Sequence, residues 1–131
     1  MTTRIASCSC GAVKAAAEGD PVRISMCHCY ACQKRTGSVF GAQARFPKDK
    51  VILEGNTTVY ERVGDSGNSV FFHFCPQCGA TVYYKIRDLP DVIAIPIGAF
   101  ADSTFPTPRV SVYEARKHPW VHVPENAEHY D

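Results

Sequence analysis

The chain has 131 residues, with 14 lysines and arginines against 13 aspartates and glutamates, for a formal charge of +1. That length suits a single domain spanning residues 1–131, and the near-cancelling charge, without a basic block or acidic tail, gives no electrostatic case for nucleic acid or an anionic membrane as partner. No stretch approaches the roughly 18 apolar residues of a membrane-spanning helix, and the segment from Met1 to Ser7 lacks the apolar run of an export signal, so a cytoplasmic protein is expected.

Ser7-Cys8-Ser9-Cys10-Gly11 comes first. Cysteines two apart in an extended segment face the same way and could grip one ion, and Gly11 suits a tight turn after the second thiol. The segment from Ala12 to Glu18 is read as a strand because it is short and lies between Gly11 and Gly19-Asp20-Pro21. Val22 to Met26 alternates apolar and polar residues, a strand feeding Cys27-His28-Cys29-Tyr30-Ala31-Cys32. Tyr30 to Thr36 reads as a helical turn ended by Gly37, with N-terminal amides facing the thiols. Lys34 and Arg35 either add positive charge there or are solvated surface residues.

Further strands are expected at Ser38 to Phe46, Val51 to Glu54, Thr57 to Val63 and Ser69 to Phe74. Cys75-Pro76-Gln77-Cys78-Gly79 is a zinc knuckle: proline presets the turn, two thiols converge, and glycine takes the conformation just past them. Thr81 to Lys85 returns as the second arm of a hairpin. Val92 to Ile97 is a buried apolar strand whose Pro96 suggests an edge or an irregularity. Val110 to Tyr113 is a last strand, and His118-Pro119-Trp120 is expected to pack back on the body. Roughly eight short strands with frequent turns point to a sandwich or sheet pair, mostly β.

Seven cysteines is an odd number, poorly suited to a secreted disulfide framework, and clustered thiols in a cytosolic chain point to metal. Cys75 and Cys78 with Cys8 and Cys10 make a closed four-sulfur zinc site, a strong staple. Cys27, Cys29 and Cys32 are left holding a second zinc whose fourth position is open, the mark of a catalytic site. Other divisions remain: Cys27 and Cys29 could join the knuckle, leaving Cys8, Cys10 and Cys32, or one cluster could share sulfurs. Local chelates are entropically the cheapest.

Together these motifs resemble the glutathione-dependent formaldehyde-activating enzyme family, whose domain is shared with centromere protein V. The matching residues are Cys8-Ser9-Cys10-Gly11, Cys27 through Gly37, and Cys75-Pro76-Gln77-Cys78-Gly79, and Trp120 looks like part of the family's C-terminal pattern. The resemblance implies a β-tent fold of two packed antiparallel sheets with short helical turns, and two zinc ions per chain divided as above. It also implies a carbon–sulfur lyase of the S-(hydroxymethyl)glutathione synthase type, joining a small thiol such as glutathione to a small aldehyde such as formaldehyde, or the reverse.

In that reading a thiol at the open position ionises and attacks the carbonyl carbon to give a hemithioacetal. His28 is expected to point away from its neighbours' sulfurs, outside the ligand set. His73 reads as a strand residue, and Pro119 argues against a helical chelate of His118 with His122. Phe40, Tyr83, Tyr84 and Trp120 either line a pocket or pack in the core. Two other classes stand beside the enzyme: a zinc-stapled binding module, and a redox protein using Cys29 and Cys32. Exposed strand edges are compatible with a homodimer.

Overall fold

The structure, a computed structural model, describes residues 2–131. Short β-branched and aromatic runs between glycine- and proline-bearing turns form strands throughout. A small antiparallel sheet consists of β1 (Thr3–Ser7), β2 (Lys14–Glu18) and β5 (Val51–Glu54) in the order β1-β2-β5. The larger sheet contains β3 (Arg23–Cys27), β4 (Gly41–Pro47), β6 (Thr58–Val63), β7 (Ser69–Phe74), β8 (Thr81–Ile86), β9 (Leu89–Pro96), β10 (Val110–Val112) and β11 (Glu128–His129). Its order is β11-β10-β3-β4-β9-β8-β7-β6. One helix, α1 (Tyr30–Thr36), links β3 to β4.

The two sheets enclose the main core. Ala6, Val13, Ala15 and Ala17 of the small sheet and its turn meet Ile24, Ala44, Phe46, Ile93 and Ile95 of the large one. Alanines on β2 let the sheets approach closely, while Phe46 and Ile95, both fully buried, fill the gap. Each such side chain contributes on the order of 2 kcal/mol by leaving water. The alternation that sends Ala44 and Phe46 inward sends Gln43 and Arg45 to the opposite face of β4. On β3 the same rule places Arg23, Ser25 and Cys27 together on that outer face.

The mostly β, two-sheet expectation holds, with differences of detail. β1 and the two-residue β11 raise the strand number above the expected eight. β10 runs parallel to both β3 and β11, so one margin of the large sheet is mixed. Pro96 does not mark an edge: β9 lies between β4 and β8. It is the strand's last residue, opposite Gln43, where a missing N–H breaks no continuing ladder. Of His118-Pro119-Trp120, His118 packs back through a 3.1 Å hydrogen bond between its Nε2 and Gln33 Oε1, whereas Trp120 is 73% exposed. No helix of the described residues is long and apolar enough to cross a membrane.

Candidate functional site

The seven thiols, all free, separate into a group of four and a group of three. Cys8 and Cys10 follow β1, and Cys75 and Cys78 follow β7, so the group of four bridges the two sheets. The chain around Cys8 and Cys10 is a turn rather than the extended segment expected: Gly11 N–H donates to Cys8 O at 3.2 Å and Cys8 N–H to Val13 O at 3.0 Å. The knuckle repeats the device, with Gly79 N–H donating to Cys75 O at 2.8 Å and Gly79 at φ 79°. Amides also aim at sulfur, Val13 N–H at Cys8 Sγ (3.3 Å) and Gln77 N–H at Cys75 Sγ (3.4 Å). Hydrogen bonds from the Ala80 and Cys10 backbone bring the Cys78 thiol down to about 6. Cys10 Sγ lies 3.6 Å from both Cys8 Sγ and Cys75 Sγ. Sulfurs at 2.3 Å from a tetrahedral zinc stand about 3.8 Å apart, so the group fits such an ion.

The group of three is built from one short stretch. Cys27 ends β3, Cys29 caps α1, and Cys32 lies one turn into the helix; all three are buried. Cys29 Sγ accepts the Cys32 N–H at 3.3 Å, and Gly37, at φ 73°, closes the helix by donating to Gln33 O at 2.9 Å. The three sulfurs lie within 4.8 Å of one another, a donor set suited to a soft ion such as zinc. The hydrogen bond with Cys27, then those with Cys29 and the positive charge of Arg35 and Arg62, bring the Cys32 thiol down to about 5, while Cys27 is pushed far up.

Cys27 and Cys32 open onto a pocket of about 280 Å³ on the outer face of the large sheet. Phe72 and Tyr84, 5.0 Å apart between ring centroids, form part of its wall. Arg35 lies 4.6 Å above the Phe72 ring and 5.5 Å from that of Tyr84, and Arg62 lies 5.3 Å from Phe72. Burial pushes the Tyr84 phenol upward, so it stays protonated. The pocket that Cys8 lines, with Ser7, Ala80 and Phe100, has no arginine in its lining.

The family model described as glutathione-dependent formaldehyde-activating enzyme matches residues 3–116. The chain belongs to that family. A crystal structure of a Rhodobacter sphaeroides protein, a structural-genomics target, superposes with a TM-score of 0.54 at 22% sequence identity, covering 72% of this chain and 85% of that one. At that identity the likeness speaks for the fold alone. No curated protein matches the chain.

The family match encloses all seven cysteines, and Trp120 lies beyond its end. The division of the thiols is the one expected from local chelation, and neither mixed grouping is formed. His28 turns away from the sulfurs as expected, and it is wholly buried. Its Nε2 lies 3.0 Å from Ser111 Oγ, its Nδ1 has no partner among the described residues, and burial lowers its pKa. His73 is a strand residue stacked 4.5 Å from Tyr83. Tyr83 and Phe40 are packing residues, and Tyr84 is the aromatic of the expected four that reaches the pocket. Lys34 is exposed, but Arg35 is half-buried over the rings. Arg23, Arg45 and Arg62 were not singled out by sequence. The signal was available on β3, where Arg23 and Cys27 stand four residues apart and therefore on one face.

Proposed function

We propose that this family member is a carbon–sulfur lyase-type enzyme of the S-(hydroxymethyl)glutathione synthase kind, acting on the adduct of a small thiol and a small aldehyde. Cys27, Cys29 and Cys32 would hold the working zinc, and Cys8, Cys10, Cys75 and Cys78 a structural one. The observation that carries this reading is positional: the incomplete donor set borders a pocket large enough for a small substrate, and the complete set ties two sheets together.

A bound zinc would supply Lewis acidity, keeping a substrate sulfur ionised at neutral pH. The chain's own residues do the rest. Three thiolates against a divalent ion leave one net negative charge, which Arg35 and Arg62 offset. The Cys32 amide fixes the Cys29 sulfur, and the Phe72 and Tyr84 rings exclude water from one wall of the pocket. In the forward reaction the substrate thiolate adds to the aldehyde carbon. The new C–S bond forms as the carbonyl π pair moves to oxygen, which takes a proton from solvent; the reverse reaction breaks the same bond.

Three measurements test this. Metal analysis should find two zinc ions per chain, and soaking a thiol into the zinc-loaded protein should change the sulfur count seen by X-ray absorption. Cys32→Ser should stay folded and lose turnover with formaldehyde and glutathione. Zinc-free active protein would favour the redox reading, full turnover in the variant would remove Cys32 from the working site, and a folded, zinc-loaded wild type without turnover would leave a binding module.

A further inference from the structure

The pocket beside Cys27 and Cys32 is lined by four arginines, Arg23, Arg35, Arg45 and Arg62, and by no aspartate or glutamate. All four are half-buried. Each has a fully buried guanidinium nitrogen with no hydrogen-bond partner among the described residues: Nε of Arg23, Arg35 and Arg45, and a terminal nitrogen of Arg62. The ion pairs among the described residues are Lys50–Glu18, Arg87–Asp88 and His129–Glu114, and none involves these arginines.

This arrangement opposes folding. Arg23 and Arg45 stand directly across from each other on β3 and β4, where like charges destabilise a strand pair. Burial, and then the Arg23 charge, pulls the Arg45 pKa down. An arginine partly withdrawn from water normally faces a carboxylate, because desolvation makes an unpaired charge more costly. The thiol group does not supply enough compensation. With zinc it carries one net negative charge, and the arginines that act on Cys32 are Arg35 and Arg62. Arg23 and Arg45 lie further along the face, beyond Ser25 and Gln43, whose 2.7 Å hydrogen bond forms the pocket floor. Arg23 and Arg45 are therefore left without a counter-charge, and the lining as a whole keeps a net positive charge for a ligand to meet.

We propose that the substrate of this site carries a compact anionic group of two or more charges, a phosphomonoester or paired carboxylates, seated among Arg23, Arg45 and Arg62, with its reacting end toward Cys27 and Cys32. The anion site follows from the arginines themselves; calling its occupant the substrate rests on the lyase reading above. Guanidinium forks match phosphate and carboxylate oxygens in pairs. The same lining selects against a zwitterion. An ammonium beside a carboxylate, as at the amino-acid end of glutathione, meets four cations and no acceptor carboxylate. Glutathione would therefore be a poorer occupant than an ammonium-free anion of similar size.

The test is calorimetric titration of the zinc-loaded full chain with inorganic phosphate, succinate and glutathione. Arg45→Gln is compared with Lys85→Gln, which removes the same charge from an exposed position of β8. Phosphate or succinate should saturate one site, and the tighter of the two names the anion class. Glutathione should bind more weakly than that ligand. Loss of one charge-assisted pair predicts about tenfold weaker binding in Arg45→Gln, with Lys85→Gln unchanged. In chloride buffer Arg45→Gln should melt higher than wild type, and phosphate or succinate should raise the wild-type melting temperature more than the variant's. The proposal is overturned if neither anion saturates, if the two variants respond alike, or if glutathione binds tightest. It is equally overturned if Arg45→Gln melts lower in every buffer. Turnover is not read in these titrations, so saturable anion binding by a protein without lyase activity would leave the site standing and remove only the lyase reading.

Discussion

Two positions show how single residues hold the thiol-bearing segments. Gly55, at φ 97°, sits where a Cβ would be driven into the backbone oxygen of Ala12. Ala12 and Val13 follow Cys10, and Val13 N–H donates to Cys8 Sγ. Positive φ and a backbone clash together predict that Gly55→Ala costs about 3 kcal/mol, read as a lower melting temperature, with weaker zinc retention by the group of four. Ser111 and His28 are both fully buried and bonded to each other. Ser111→Ala would leave the imidazole without its Nε2 partner, for a loss of about 1–3 kcal/mol in chemical denaturation. A third residue has a pH signature. Thr104 donates its hydroxyl and its amide to Asp102 Oδ1, at 2.6 and 2.9 Å, which holds that carboxyl below its usual range. A folded-state pKa below the unfolded one stabilises at pH values above the unfolded pKa, and that contribution is lost as pH falls through the folded one. Asp102→Asn should therefore be less stable than wild type at pH 7 and converge with it at acid pH, which flattens the acid limb of the stability profile below about pH 4.

Among the elements, those read well from sequence owe their form to local chemistry. α1 spans Tyr30–Thr36 as expected because Cys29 can cap it and Gly37 can end it, both short-range devices. The knuckle is legible for the same reason: proline, two thiols and glycine define one turn. Sheet order is not local, and the edge that Pro96 suggests is not one. Nothing near Pro96 tells that β9 enters between β4 and β8. His28 is buried because β10, more than eighty residues later, lays Ser111 against it. The pocket was illegible for a related reason. Its arginines come from β3, α1, β4 and β6, and a search for basic blocks along the chain finds none. Only after β3 pairs with β4 in register does Arg23 meet Arg45. Element ends carry a prediction too. Gly37→Ala would strain the left-handed C-cap of α1 at a cost of about 1 kcal/mol. A small drop in melting temperature is expected, with zinc lost more readily from the group containing Cys32 than from the other.

At the scale of the whole molecule the two thiol groups differ in how far along the chain they reach. The group of three lies within Cys27 to Cys32, inside one β3–α1 corner that backbone hydrogen bonds already define. The group of four joins residues 65 apart, Cys10 to Cys75, and ties the end of β1 in the small sheet to the end of β7 in the large one. Closing a long loop removes more unfolded-state freedom than closing a short one, and structural zinc in small domains is worth on the order of 10 kcal/mol. Removing Cys75 or Cys8 should therefore affect the packing of sheet on sheet, whereas removing Cys32 should affect a corner. Cys75→Ser is expected to melt far below wild type, or to unfold outright, and to lose the protection of Ala15 and Ala17 amides from hydrogen exchange. Cys32→Ser should keep that protection and melt within a few degrees of wild type, with one zinc ion per chain remaining. Adding a strong chelator to Cys32→Ser should then reproduce the Cys75→Ser behaviour. If the chelator strips the remaining ion while the β2 amides stay protected, the sheets are held by Phe46, Ile95 and their neighbours alone, and the group of four is not the staple.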